Sequence, residues 1–585
     1  MRRGIATVSL SGLLTDKLEA ISAAGFDGVE IFDNDLIACP LSPAEVAQRC
    51  ADLGLAVDLF QPVRDVEGVP PQRFPGVEHR FRTKLAVAAT LGAPTVLVCS
   101  TVAADAVDDL DLTAEQLHRL GELAAEHGVT IAYEALAWGR HVHHVAQAWD
   151  AVRRADHPAV TLAVDTFHLL ARGDDATALA GVPGDRIGFL QVADAPLMDM
   201  GLLEWSRHYR CFPGEGTLDV ARVVAAALDA GYRGPVSLEV FSDVVREADP
   251  ARTARDAMRS LVFLEDQLSL RPAPPVPASV DPAFLEVPGG PDVPGLLESL
   301  GFAVAGRHRS KPVTWWRHGG AHVVVNDGDA RDPALGVVAA PVSGVAERAK
   351  ALLWPEVDRT RRESEAHLPG ITSPSGLHVF VSAPPGDVDD WRGDFVPSAG
   401  AEQPGLLGLD HLAVAVPGDR LNEQVSFLRT LLGLRPGAVE EFIEPHGRLR
   451  SRAFRPSAGS LRLVLHVEQV GPGRDPVSGV TQVAFACADV RAEVLALRAR
   501  GVPLMPVPDN YYDDLDARFE LDPAVLTDLR DHQLLYDRHG AGELLHAFTM
   551  PLTTGFHVEL LERRGGYDGY GSSGTHVRLA AQHPA

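Results

Sequence analysis

From Gly4 to about Leu268, apolar strand-like runs and segments with helically spaced apolar residues alternate eight times, and few folds accommodate that series. IATVSL leads to TDKLEAISAAG, GVEIF to SPAEVAQRCADLG, LAVDLF to VEHRFRTKLAVAATLG, and TVLVCS to TAEQLHRLGELAAEHG. TIAYE leads to HVAQAWDAVRRA, TLAVD to the short DATALAG, IGFLQ to TLDVARVVAAALDAG, and VSLEV to TARDAMRSLVFLEDQL. Ser42 with Pro43, Thr113 and Thr217 mark helix starts, while Gly25, Gly54, Gly92, Gly128 and Gly231 follow helix ends. Eight βα units in one uninterrupted series predict a closed parallel TIM barrel.

Four of these strands finish on an oxygen-bearing side chain: Glu134, Asp165, Gln191 and Glu239. Alternate strand residues share a face, so Ala132, Ala163, Phe189 and Ser237 point the same way as those ends. Three of the four are small, which suits a polar layer converging at the C-terminal mouth of a barrel, where chemistry is done. One strand-end acid alone reads as a solvated loop residue; four in parity read as a cage for an oxygen-ligated divalent ion such as Mg²⁺ or Mn²⁺. His168, three residues after Asp165 in DTFH, is placed at the same rim as a candidate base. Arg64 and the RHYR run ending at Arg210 offer cations for a substrate carboxylate. The RHVHH run at 140–144 has no ligand spacing and reads as loop leading into a helix, and PGEG at 213–216 as a tight turn from which Glu215 can reach the rim.

Charge and cysteine usage restrict the partners. Lys and Arg total 53 against 79 for Asp and Glu, a net −26, which opposes binding to nucleic acid or anionic membranes. Five cysteines lack pairing or zinc-type spacing, as in a reducing compartment, so the expected location is cytoplasmic. MRRGIATVSLSGLL places two arginines before an apolar run, but no small-x-small site follows and the next residues continue the barrel pattern, so no signal peptide is expected.

RPAPPVPA at 271–278 ends the barrel pattern with proline that sustains neither helix nor central strand. The expected division is a barrel over residues 1–270, a linker over 271–282, and a C-terminal domain over 283–585. Strands and hairpins dominate that last part in two blocks of similar order, GLLESLGF to HVFVSA and LDHLAVAV to FHVELLERRGG, which predicts a duplicated β-rich module over about 283–400 and 405–580.

The strand-end set makes residues 1 to about 268 similar to the xylose-isomerase-like sugar phosphate isomerase/epimerase barrels, which hold one divalent ion with Glu, Asp, His and Glu. Gln191 stands where many members have His. That departure, YEALAWGRHV at 133–142, DTFH and the second domain together resemble the bacterial two-domain 3-dehydroshikimate dehydratases. The resemblance implies a hydro-lyase turning 3-dehydroshikimate into protocatechuate (3,4-dihydroxybenzoate) and water in quinate or shikimate catabolism. It implies Mg²⁺, Mn²⁺ or Co²⁺ on Glu134, Asp165, Gln191 and Glu239, His168 as base, and Arg64 and Arg210 on the substrate. A metal-dependent sugar or inosose isomerase/epimerase is the alternative; the general acid, the oligomeric state and the metal in use are left open.

GLDHLAVAV, VTQVAFACADV and FHVELLERRGGYDGYG resemble segments of 4-hydroxyphenylpyruvate dioxygenase, a duplicated α+β vicinal-oxygen-chelate fold. That family holds ferrous iron with two His and one Glu. His411 and Glu559 match, but Gln482 occupies the central histidine position, which weakens a ferrous site. A second divalent cation on His411, Gln482 and Glu559, a vestigial site and a purely structural half remain open.

Overall fold

Eight parallel strands close on themselves in chain order: β1 (Arg3–Ala6), β2 (Gly28–Phe32), β3 (Ala56–Val63), β4 (Thr95–Cys99), β5 (Thr130–Glu134), β6 (Val160–Asp165), β7 (Ile187–Val192) and β8 (Val236–Leu238), with β8 returning to pair with β1. This computed structural model describes every residue except 329–331, 399–404, 445–446, 471–477, 553–555 and 583–585. The chain divides into two units, Met1–Pro272 and Ala273–Ala585. Inside the barrel, Leu59, Leu97, Cys99, Ala132, Ala163 and Phe189 form one buried layer beneath the strand ends. Each fully buried Leu or Phe contributes about 1.5–3 kcal/mol, so this floor is stiff enough to hold a polar layer above it.

Local chemistry sets the helix starts. Helix Pro43–Asp52 opens with a reciprocal cap, Ser42 accepting from the Glu45 N–H while the Glu45 carboxylate accepts from the Ser42 N–H, and with Pro43 in its first turn. Helix Leu110–Glu126 begins earlier than Thr113 because the Asp109 carboxylate accepts from the N–H groups of Asp111 and Leu112. Thr217 likewise precedes its helix, Val220–Asp229, by three residues. Helix Phe74–Leu91 stops at Gly92, whose φ of 74° an L side chain rarely adopts. DATALAG forms only a 3-10 turn, Ala176–Leu179; the helix after β6 is Thr166–Ala171, so DTFH starts a helix.

In the second unit, eight strands form one sheet: β9 (Asp281–Pro288), β10 (Ala303–His308), β11 (Val313–His318), β12 (Ala321–Asn326), β13 (Ala334–Val338), β14 (Gly370–Thr372), β15 (His378–Ser382) and β16 (Phe395–Pro397). Eight more form another: β17 (Leu406–Ala415), β18 (Arg435–Glu444), β19 (Gly447–Arg455), β20 (Leu463–Val470), β21 (Gly479–Cys487), β22 (Leu535–His539), β23 (Gly542–Phe548) and β24 (His557–Arg564). The duplication is plain in the pairing. In the first sheet the β10–β11–β12 meander brings β12 parallel to β9, β13 lies antiparallel on the other side of β9, and β15 follows parallel to β13. In the second, β18–β19–β20 brings β20 parallel to β17, β21 lies antiparallel beyond it, and β24 follows parallel to β21. Helices Val293–Ser299 and Leu421–Leu432 follow the first strand of each sheet, and Val342–Ala351 and Val490–Ala499 the fifth. The junction expected between 400 and 405 falls largely on residues outside those described.

Candidate active site

Glu134 ends β5, Asp165 ends β6, Gln191 is the last residue but one of β7, and Glu239 follows β8 directly; all four are buried. Asp165 lies opposite Gln191 in register, whereas Glu134 lies opposite Ala163 and Gln191 opposite Ser237, so the ends step up by two residues from β5 to β6 and from β7 to β8 while staying on one face. Arg210 joins them from the loop after β7. Its Nη1 donates to Asp165 Oδ2 at 2.8 Å and to Glu239 Oε2 at 3.1 Å, and its Nη2 donates to Ser206 Oγ at 2.8 Å. Its guanidinium also lies over the Phe167 ring, 4.5 Å from the centroid. Arg210 is therefore enclosed among the carboxylates, whereas Arg64 and Arg207, both exposed, line the same cavity.

Burial, then repulsion from Glu239 and Asp165, pushes the Glu134 carboxyl well above the usual carboxylate range. Burial also pushes Glu239 up to about 7 against the attraction of Arg210, whereas for Asp165 the cost of burial is outweighed by Arg210 and by the His168 backbone N–H it accepts, which hold it low. The fit to a cation rests on two observations. Glu134 Oε1 and Gln191 Oε1 are buried with no hydrogen-bond partner, and three carboxylates against one guanidinium leave two formal negative charges. An oxygen-ligated divalent ion satisfies both.

His168 is brought to the same place by the first turn of its helix, which Asp165 caps by accepting the N–H of Phe167 at 2.6 Å and of His168 at 3.1 Å. One donor atom from each of Glu134, Asp165 and His168 lies within 4.8 Å of the others. The ring packs edge-on against Trp138, with centroids 5.0 Å apart. Its Nδ1 faces the Ala137 N–H at 3.2 Å and its Nε2 faces Arg210 Nη2 at 3.1 Å. Both ring nitrogens thus face N–H donors, so the single proton of the neutral ring already meets one of them and a second proton would meet the other as well. Burial first, then Arg210 and Arg64, holds the ring neutral with its pKa at about 3, although Asp165 pulls the other way.

The sequence reading missed Glu30 and Gln61. Glu30 is fully buried on β2; its Oε2 accepts from Gln61 Nε2 at 2.8 Å and Gln191 Nε2 at 2.7 Å, and its Oε1 accepts from the Ser237 hydroxyl. Burial, then Glu239, raises its pKa well above the ordinary value. The available signal was a lone acid in the middle of the apolar run GVEIF. Glu215 is half-buried in the turn after Phe212, its Oε2 accepting the Phe212 N–H. His144 precedes helix Val145–Ala155 and pairs with Asp174, in keeping with a structural reading of RHVHH.

His411 on β17, Gln482 on β21 and Glu559 on β24 also meet, but they occupy one another. Gln482 Nε2 donates to Glu559 Oε2 and stands 3.2 Å from His411 Nε2, while its Oε1 faces His557 Nε2 at 3.2 Å. Glu559 Oε1 faces His546 Nδ1 at 2.7 Å. His411 Nδ1 is held by Asp410 at 2.8 Å, and Arg563 clamps Asp410 with two contacts of 2.8 Å. An amide N–H thus stands where the third nitrogen ligand of an iron triad belongs, and neither Glu559 oxygen lacks a partner. A glutamine in place of the third nitrogen ligand does not fit a ferrous centre.

Comparison with known proteins gives these two units their relatives. Residues 18–263 match the family model described as xylose isomerase-like TIM barrel, and residues 408–528 that of the glyoxalase/bleomycin resistance protein/dioxygenase superfamily. A solved structure described as a xylose isomerase-like TIM barrel/4-hydroxyphenylpyruvate dioxygenase fusion protein superposes with a TM-score of 0.89 at 40% identity, covering 100% of this chain and 99% of that one. A 3-dehydroshikimate dehydratase of Pseudomonas putida is 41% identical over 100% of this chain and 98% of its own length, and one of Pseudomonas aeruginosa 42% identical over 100% and 99%. The chain belongs to the two-domain 3-dehydroshikimate dehydratase family. Its first unit is the xylose-isomerase-like barrel of that family and its second the vicinal-oxygen-chelate fold, whose two modules are the two sheets described above. Both parent folds are typically dependent on divalent metal, and in this barrel Glu134, Asp165 and His168 come together as one buried cluster. No helix among the described residues is long and apolar enough to cross a membrane.

Proposed function

We propose that this chain converts 3-dehydroshikimate to protocatechuate and water. The observation that carries the reading is the match, end to end at 41–42% identity, to two relatives bearing that activity as their name. The alternative, an isomerase or epimerase, accounts for the barrel alone and leaves the second unit unexplained. Glu134, Asp165, Gln191 through Oε1, and Glu239 would hold a Mg²⁺, Mn²⁺ or Co²⁺ ion, which when bound polarises the ring ketone of the substrate.

The remaining steps belong to side chains. Arg64, exposed at the mouth, meets the substrate carboxylate as it arrives, and Arg210 supplies positive charge deeper in the cavity. The neutral His168 ring keeps a lone pair with which to take the proton from the carbon beside the ketone once Arg210 Nη2 turns to the substrate. Departure of the β-hydroxyl as water and tautomerisation then give the aromatic ring. Trp138 walls the cavity beside His168 and limits water there. Incubation of the purified protein with 3-dehydroshikimate, followed by separation and mass measurement, tests this: the expected product is lighter than the substrate by one water, and a product of unchanged mass would favour the isomerase.

A further inference from the structure

Gln191 is a neutral amide, and an amide end can offer either its oxygen or its NH₂ group to whatever it faces. Only the oxygen binds a cation, so a glutamine ligand needs something that settles which end turns inward. Here Gln191 Nε2 donates to Glu30 Oε2 at 2.7 Å, and Gln191 Oε1 is left buried without a partner. Glu30 is reached from three other strands: by Gln191 on β7, by Gln61 on β3 at 2.8 Å, and by the Ser237 hydroxyl on β8. Since Ser237 faces Oε1, the Oε2 atom that meets the two amides accepts hydrogen bonds whether or not Glu30 carries a proton.

We infer that Glu30 is a positioning residue that fixes the Gln191 amide with its oxygen toward the cation. Turning the amide over would set Gln191 Oε1 against Glu30 Oε2 and an NH₂ group against the ion, and both contacts repel. Glu30 reaches the metal position only through Gln191, as partners behind metal ligands commonly do. The inference rests on Gln191 being a ligand, as proposed above.

The test is a cycle of Mn²⁺ titrations by calorimetry on the metal-free full-length protein. Glu30→Leu should weaken Mn²⁺ binding by about 10–100-fold, the usual loss when a partner behind a ligand is removed. Glu30→Gln should weaken it by a smaller factor, because an amide at 30 can either accept from or donate to Gln191. In a Gln191→Glu background both ends of the ligand are oxygen and nothing needs orienting, so neither change at 30 should weaken binding. Equal weakening in both backgrounds would make Glu30 a general electrostatic or structural contributor and overturn the inference, as would unweakened binding with Gln191 in place. If Glu30→Leu does not fold, the shape-preserving Glu30→Gln decides the comparison in the same way. Gln191→Leu separates the layers: unchanged Mn²⁺ binding there removes Gln191 from the site, whereas weakened binding with no effect of Glu30→Leu removes only the positioning role.

Discussion

At the scale of single residues, the barrel site is a charge imbalance held in a dry place. Replacing Glu134 or Glu239 with Ala removes an oxygen ligand, and turnover of 3-dehydroshikimate should fall at least about 100-fold together with bound metal, measured by elemental analysis of the purified variant. His168→Ala should cost about 10²–10⁴-fold in turnover while metal content stays near that of the parent; equal loss of metal would place His168 among the ligands. Arg64→Ala should raise KM by about tenfold, because one charged hydrogen bond to the substrate is lost from the mouth. The metal-free protein should also bind Mn²⁺ more tightly as pH rises. Glu239 has its pKa raised to about 7, so below about pH 7 its proton competes with the ion and above it the competition fades, and Glu134, raised by burial as well, adds competition of the same sign. Titrations at pH 6 and pH 8 that gave equal affinities would contradict this ordering.

At the scale of elements, the loop between β7 and its helix carries Arg210 and is tied down by one side chain. Asp194 Oδ1 accepts the N–H groups of Ala195 at 2.7 Å and Leu218 at 2.9 Å, and Oδ2 accepts those of Gly214 and Gly216, each at 3.1 Å. The Asp194 and Cys211 backbones pair in both directions, at 2.9 and 2.8 Å, one residue beyond Arg210. A Cβ on Gly216 would come within 2.3 Å of Asp194 Oδ1, which is why the PGEG turn ends on glycine. Asp194→Ala should destabilise the barrel by about 2–4 kcal/mol and loosen Arg210, read as a lower unfolding midpoint with reduced turnover. These ties explain what the sequence could and could not reveal. Strand alternation has a period of two, so Glu134, Asp165, Gln191 and Glu239 could be placed on one face from their positions alone. Arg210 could not be assigned to their layer, because its pairing with Asp165 spans 45 residues and depends on how a loop folds back. Glu30 was hidden because one acid inside GVEIF looks the same in sequence whether it faces the barrel interior or the helices. The amide of Gln482 was likewise unreadable: its sequence position says that a glutamine replaces a ligand, and only the structure shows its nitrogen turned to Glu559.

At the scale of the molecule, every residue proposed for the barrel chemistry lies within Met1–Pro272, and the second unit carries a triad closed by its own hydrogen bonds. The iron-loaded protein should therefore consume no oxygen with 4-hydroxyphenylpyruvate, and an oxygen electrode would register any exception. The dehydratase reading itself is tested most directly by following ultraviolet absorbance of the purified full-length protein with 3-dehydroshikimate before chelation, after removal of metal, and after adding Mn²⁺ or Mg²⁺ back. The account predicts that the absorbance of a catechol-type acid develops, stops developing when the metal is removed, and resumes on its return; no aromatic product under any of these conditions, or product formation indifferent to chelation, would contradict it.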